Sequence, residues 1–83
     1  MSEFINIEIQ YFAALRELTG CACETLSVQA DSNPKNVYQQ LKNQYDLPDQ
    51  KRLKVAINDC FCSWERVLTN DDTIVFIPPV TGG

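Results

Sequence analysis

The sequence predicts an α+β domain in which a mixed β-sheet packs on one main helix. Three observations carry that expectation. Residues 5–11 and 24–28 alternate apolar and polar side chains with period two, the pattern of strands buried on one face. A helical stripe long enough to cover a sheet begins at Asn33-Pro34. Its helix of about three turns cannot cover both faces of a sheet built from the remaining segments, so one face must stay largely open. The chain has 83 residues, which suits one small domain with one core.

The elements follow in order. Ile5, Ile7, Ile9 and Tyr11 point one way and Asn6, Glu8 and Gln10 the other, a half-buried strand of mostly β-branched residues. Phe12, Leu15 and Leu18 then recur at spacing three and read as a short helix ended by Gly20. Alternation returns at Glu24–Val28, with Leu26 and Val28 inward, so these two strands should be neighbours. Asn33 can accept from an orphan amide at the next helix start, and Pro34 lacks an amide that would go unpaired there. Val37, Leu41 and Tyr45, with Tyr38 beside them, form the core-facing stripe, and Pro48 closes the segment. Lys54–Ile57 reads as a strand, Asn58-Asp59 as a turn and Cys60 to Trp64 as a short returning strand. Leu68–Asp72 reads as a loop in which Asp71 and Asp72 are solvated. Thr73–Ile77 is apolar after its first residue, which suits a central strand covered on both faces or one with an outer face kept for a partner. Phe76 has the larger surface to bury, so Ile74 and Phe76 should face Val37 and Leu41. Val75 and Ile77 are then the outward pair and the candidate partner interface.

Composition excludes several classes. With 11 acidic and 7 basic residues the formal charge is −4, the wrong sign for binding a phosphate backbone, so no nucleic acid partner is expected. Met1-Ser2-Glu3 has no basic leader character, and no apolar run approaches the ~20 residues of a membrane span. The expectation is a cytoplasmic protein with no membrane partner and reduced thiols. Histidine is absent, which removes histidine base chemistry and histidine metal ligation. The glycines Gly20, Gly82 and Gly83 form no phosphate-cradling loop. Cys21-Ala22-Cys23 and Cys60-Phe61-Cys62 are two C-x-C pairs. They read first as packed or half-buried thiols with no metal, a four-thiolate zinc site and a redox pair being the alternatives.

The ending Phe76-Ile77-Pro78-Pro79-Val80-Thr81-Gly82-Gly83 concentrates the functional signal. Gly-Gly packs nothing and loses much entropy on ordering, but it makes a thin thread that can carry a carboxylate through a channel any side chain would block. The alternative is an ordinary frayed terminus. The expected organisation is one domain over residues 1–79 and a flexible tail over 80–83. Fully extended, Val80 to Gly83 spans roughly 13 Å. Pro78 and Pro79 restrict φ at its base and lower the entropy lost on insertion.

Tyr11-Phe12-Ala13-Ala14-Leu15-Arg16-Glu17-Leu18-Thr19-Gly20, Val55-Ala56-Ile57-Asn58 and above all Leu68 through Pro78-Pro79-Val80-Thr81-Gly82-Gly83 resemble the small subunit of molybdopterin synthase, a match spanning essentially the whole chain. The resemblance implies the β-grasp, or ubiquitin-like, fold and a sulfur carrier of molybdenum cofactor synthesis. It implies that an E1-like adenylating enzyme activates the Gly83 carboxylate with ATP, and that a sulfur donor protein converts the acyl-adenylate to a thiocarboxylate. The tail, Pro78 to Gly82, would then place that group in a large catalytic subunit, where sulfur passes to cyclic pyranopterin monophosphate. It further implies a heterotetramer of two small and two large subunits. No permanently bound cofactor and no independent catalytic site belong to the small subunit. Asn70 departs from the pattern, which commonly has glycine there; Asn tolerates the left-handed backbone that such a turn uses. Three other readings stay open: a thiamine-pathway sulfur carrier, a ubiquitin-like modifier conjugated to lysines, and an interaction domain with an inert tail.

Overall fold

The computed structural model describes residues 3–77. Its elements are β1 (Phe4–Tyr11), α1 (Ala13–Thr19), β2 (Cys23–Gln29), α2 (Pro34–Gln44), a 3-10 turn (Gln50–Arg52), β3 (Lys54–Ile57), β4 (Cys60–Phe61) and β5 (Thr73–Ile77). The sheet order is β2-β1-β5-β3-β4, with β1 and β5 parallel and every other pair antiparallel. This is the β-grasp arrangement: one mixed sheet curled on one dominant helix.

Local chemistry accounts for the boundaries. The Asn33 side chain accepts from the Asn36 N–H at 2.9 Å while Asn36 returns the bond to the Asn33 N–H at 3.2 Å. This reciprocal capping box, with Pro34 at the first turn, starts α2. Pro34, Val37, Tyr38 and Leu41 form its buried face. Of these, Val37, Tyr38 and Leu41 meet Ile7, Ile9, Val28, Val55, Ile57, Ile74 and Phe76 in one core. Leu26 only partly reaches that core. Gly20, at φ 78°, ends α1 and donates to the Arg16 carbonyl at 2.9 Å, a left-handed cap open to glycine without penalty. Asn58 and Asp59 lie at φ 51° and 71°, the double left-handed turn that joins tight hairpins.

The short helix read from Phe12, Leu15 and Leu18 is present as α1, ended by Gly20; of the three residues only Leu15 is buried, while Phe12 and Leu18 are 49% and 47% exposed. Three sequence expectations need correction. The returning strand is Cys60–Phe61 alone. Beyond it Trp64 turns into the core, stacking on Phe76 at 5.6 Å and meeting Tyr38 edge-on at 5.7 Å. Asp72 is not solvated. It is 3% exposed, and its carboxylate accepts from the Thr69 N–H at 2.8 Å and the Asn58 amide at 2.9 Å. Asn58 in turn accepts from the Thr73 N–H at 3.0 Å, so the loop is clipped to the β3–β4 turn where β5 begins. Finally, the left-handed residue of that loop is Asp71, at φ 69°. Asn70 serves instead as an acceptor for the Asn6 N–H at 2.8 Å.

Candidate functional site

Pro78, Pro79, Val80, Thr81, Gly82 and Gly83 lie outside the described residues. What precedes them is the exit of β5, and the sheet holds it from both sides. Phe76 pairs with Tyr11 of parallel β1 and with Val55 of antiparallel β3, and Ile77 pairs with Lys54. The chain therefore leaves from the middle of the sheet, not from a loose edge.

The face opposite α2 carries a row in register across all strands: Cys23, Gln10, Val75, Ala56 and Phe61. Strand alternation sends Ile74 and Phe76 into the core, both 0% exposed, and turns Val75 to this outer face. Val75 is nonetheless only 7% exposed and its neighbour Ala56 6%. They form the floor of an apolar strip whose reachable parts are Ile77, half-buried, and Phe61, 69% exposed. Exposed Phe12 stands just past the end of β1. Sequence reasoning left out Phe61 and Phe12 as surface residues. Phe61 becomes recognisable as a surface residue only from the place of β4 at the sheet edge.

The Tyr11 hydroxyl donates to Glu24 at 2.6 Å and the Tyr45 hydroxyl to the same oxygen at 3.1 Å. Burial, then the Glu24 carboxylate, push the Tyr11 phenol far above its ordinary range. Tyr38 donates to the Pro48 carbonyl at 2.6 Å and is pushed up to about 12 by burial and then by Asp49. These phenols stay protonated and tie α2 and its exit loop to the sheet.

The cysteines divide. Cys21 and Cys62 are half-buried and pack against the core, as packed thiols should. Cys23 and Cys60 are exposed, contrary to that reading. Cys23 sits on the outer face opposite Gln10, and Cys60 on the two-residue edge strand. Among the described residues no group of three or more His, Cys, Asp or Glu side chains is placed to hold a metal ion. Among them, too, no helix is long and apolar enough to cross a membrane.

The described residues thus form a β-grasp domain with a strand exit braced on both sides beside an apolar strip. The chain belongs to the ThiS family, which matches residues 9–83, among the β-grasp sulfur carriers. It is 34% identical over 86 residues to the molybdopterin synthase sulfur carrier subunit of Mycobacterium tuberculosis, covering 95% of this chain and 99% of that one. To the subunit of the same name in Escherichia coli it is 36% identical over 83 residues, covering 93% and 99%. Its fold is similar to the solution structure of the Haloferax volcanii HVO 2177 protein, with a TM-score of 0.83, 24% identity, and 96% and 88% of the two chains covered.

Proposed function

We propose that the chain is the small, sulfur-donating subunit of a cytoplasmic molybdopterin synthase, with Gly83 as the residue that carries sulfur. The observation that carries this reading is the near full-length similarity to two curated sulfur carrier subunits, both above 30% identity. The Gly82-Gly83 ending six residues after β5 supports it.

A carboxylate resists attack because its charge is delocalised and its leaving group would be oxide. On an E1-like partner, the Gly83 carboxylate attacks the α-phosphorus of ATP, expelling pyrophosphate and forming an acyl-adenylate. Hydrosulfide delivered by a donor protein then attacks the acyl carbon; AMP leaves, the S–H proton is lost, and the product is a thiocarboxylate, itself nucleophilic. The large subunit presents cyclic pyranopterin monophosphate to that sulfur, in a heterotetramer of two small and two large subunits. The small protein contributes reach and recognition: Pro78 to Gly82 place the end, and Val75 and Ile77, with Phe61, face the partner. The domain over residues 1–79 stays outside the pocket while residues 80–83 enter it.

Intact mass tests the reading. Incubation with the cognate adenylating enzyme, ATP and a sulfur donor should add the mass difference of one sulfur for one oxygen at Gly83. The product should then support dithiolene formation by the large subunit. Lysine-linked adducts instead would make the chain a modifier. Thiocarboxylate formed but refused by the large subunit would point to another sulfur-accepting pathway.

A further inference from the structure

β2 is one edge of the sheet: among the described residues it pairs with β1 on one side and with no strand on the other. An open edge is a row of unused N–H and C=O groups, which proteins commonly keep short or guard with proline, lysine or a bulge. The opposite edge, β4, is kept to two residues. β2 has no such guard. Its seven residues include no proline, lysine, arginine or glycine, and they pair with β1 in unbroken register. The one charge among them, Glu24, already accepts from the Tyr11 and Tyr45 hydroxyls. Nothing in the sulfur-carrying chemistry above uses this edge.

The bonds to β1 show which groups the edge leaves open. The Tyr11 N–H donates to the Ala22 carbonyl at 2.8 Å, and the Ala30 N–H to the Glu3 carbonyl at 3.0 Å. Antiparallel alternation between these two bonds turns the backbone of Glu24, Leu26 and Val28 toward β1. It turns that of Cys23, Thr25, Ser27 and Gln29, all exposed, away from it. Of these outward groups the Gln29 carbonyl accepts from the Ser32 N–H at 3.0 Å. β2 also suits pairing with itself. Antiparallel pairing of two copies needs symmetry about one point, and Leu26 is the middle residue of the seven. Centred there, Cys23 faces Gln29 of the second copy, Glu24 faces Val28 and Thr25 faces Ser27. The N–H groups of Thr25, Ser27 and Gln29 then meet the carbonyls of the second copy's Ser27, Thr25 and Cys23. Leu26, which only partly reaches the core, meets its counterpart across the axis, where facing Cα atoms approach to about 4.5 Å. The two Glu24 carboxylates stay about 13 Å apart along the strands, beyond the ~10 Å screening length at about 0.1 M salt. Centring on Glu24 instead would set them face to face, which is destabilising.

We propose that two copies of the free carrier join through β2, antiparallel about a two-fold axis at Leu26, into one continuous sheet. A single pair of edge strands lies at the small end of interface sizes, below roughly 1,200 Å², so the dimer is weak and fills toward millimolar concentration. β2 and Phe61 lie at opposite edges of the sheet. Pairing therefore leaves the strip assigned to the large subunit free, and the inference can fail while the proposed function stands.

Sedimentation velocity of the full chain from micromolar to millimolar concentration, under reductant so that thiols cannot cross-link, reads the association. Amide hydrogen exchange followed by NMR over the same range reads where it occurs. The expected result is an apparent mass rising toward that of two chains, with the Thr25, Ser27 and Gln29 amides slowed by about tenfold once about nine-tenths of the chains are paired. Thr25→Pro removes an outward N–H that the domain itself does not use, a place where an edge strand tolerates proline. The double variant Thr25→Lys/Ser27→Lys changes only exposed side chains and sets ammonium groups directly opposite each other across the axis. Both should keep the circular dichroism of the wild type and remain monomeric. A wild type that stays monomeric at millimolar concentration overturns the proposal. So does a dimer whose Thr25 and Ser27 amides exchange as fast as in dilute solution, or one that persists in the folded double variant, because its contact then lies elsewhere.

Discussion

Asp72→Ala should cost this domain a large part of its stability, and the amount can be worked from two bonds. The carboxylate accepts from the Thr69 N–H at 2.8 Å and the Asn58 amide at 2.9 Å, and hydrogen bonds to a charged group contribute roughly 1.5–3 kcal/mol each. Thr69 and Asn58 are themselves exposed, so water can satisfy part of what alanine leaves unpaired. The expected loss is therefore about 2–3 kcal/mol, nearer one such bond than two. That is a sizeable share of the roughly 4–12 kcal/mol available to a domain of this length. It should lower Tm by about 10–20 °C, measured by thermal circular dichroism near neutral pH. The pH dependence has a definite sign. Burial raises the pKa of Asp72, but the hydrogen bonds from Thr69 and Asn58 and the nearby Arg66 charge outweigh it, leaving it below the ordinary 3.8. A lowered folded pKa means the unfolded chain binds more protons in acid. The contribution is complete above about 3.8 and is lost as pH falls through the folded value. The gap between wild type and Asp72→Ala should therefore be widest near neutral pH and shrink below pH 4. A Tm within about 2 °C of wild type, or a gap that widens in acid, would refute the clip as a stabilising element.

Deleting Gly83 should leave Tm unchanged and abolish sulfur transfer, because the new carboxylate falls about 3.3 Å short and a displacement of ~1 Å can already cost roughly 100-fold in rate. Appending one residue after Gly83 should be as damaging, and undiminished ATP–pyrophosphate exchange by the appended form would sink the tail-positioning idea. Gly82→Val should lose most transfer activity with unchanged melting, since a β-branched side chain fills the space a backbone-wide channel allows; a Tm several degrees lower would mean the residue packs on its own domain. Ile77→Asp and Phe61→Asp should fold and bind the large subunit far more weakly. Val75→Asp should instead destabilise the monomer, because Val75 is 7% exposed and Phe61 69%. Calorimetric titration alongside circular dichroism separates the cases, and tight binding by folded Phe61→Asp would place the interface elsewhere.

Much of the fold was legible because its signals are local. Alternation in β1, the Asn33-Pro34 start of α2 and the Asn58-Asp59 turn each need only neighbouring residues, and each falls where expected. What escaped depends on contacts far apart in sequence. Asp72 is buried because Asn58, 14 positions away, reaches back to it. β4 stops early because Trp64 has Tyr38 and Phe76 to stack on. Val75 points outward as alternation requires, but its closure depends on Gln10 and Ala56 from the flanking strands. The reactive end we propose rests on different grounds. Pro-Pro-Val-Thr-Gly-Gly is a covalent arrangement that needs no folding to be recognised, whereas Phe61 as a surface residue becomes visible only once β4 is placed at the sheet edge.

The sheet order bears directly on the function we propose. Among the described residues β5 is the last strand in sequence yet lies third of five in the sheet, so the chain continues past Ile77 from a position braced on both sides. Edge strands open readily, and a tail leaving from one would inherit their motion. Here both flanking strands fix the backbone up to Ile77, and Ile74 and Phe76 are wholly buried beneath it. Positional error at Gly83 can then accumulate only over residues 78–83, and the first two of these have φ fixed by their rings. A rigid base with a short lead is what near-attack geometry requires when acid, base and substrate all belong to the partner. Moving the exit outward by weakening β5 from below tests this. Phe76→Leu keeps the fold apolar but removes the ring stacked on Trp64 at 5.6 Å, and should lower transfer at saturating partner more than its modest loss of stability explains. If transfer by the folded variant equals wild type, bracing of the exit strand does not limit delivery of the carboxylate.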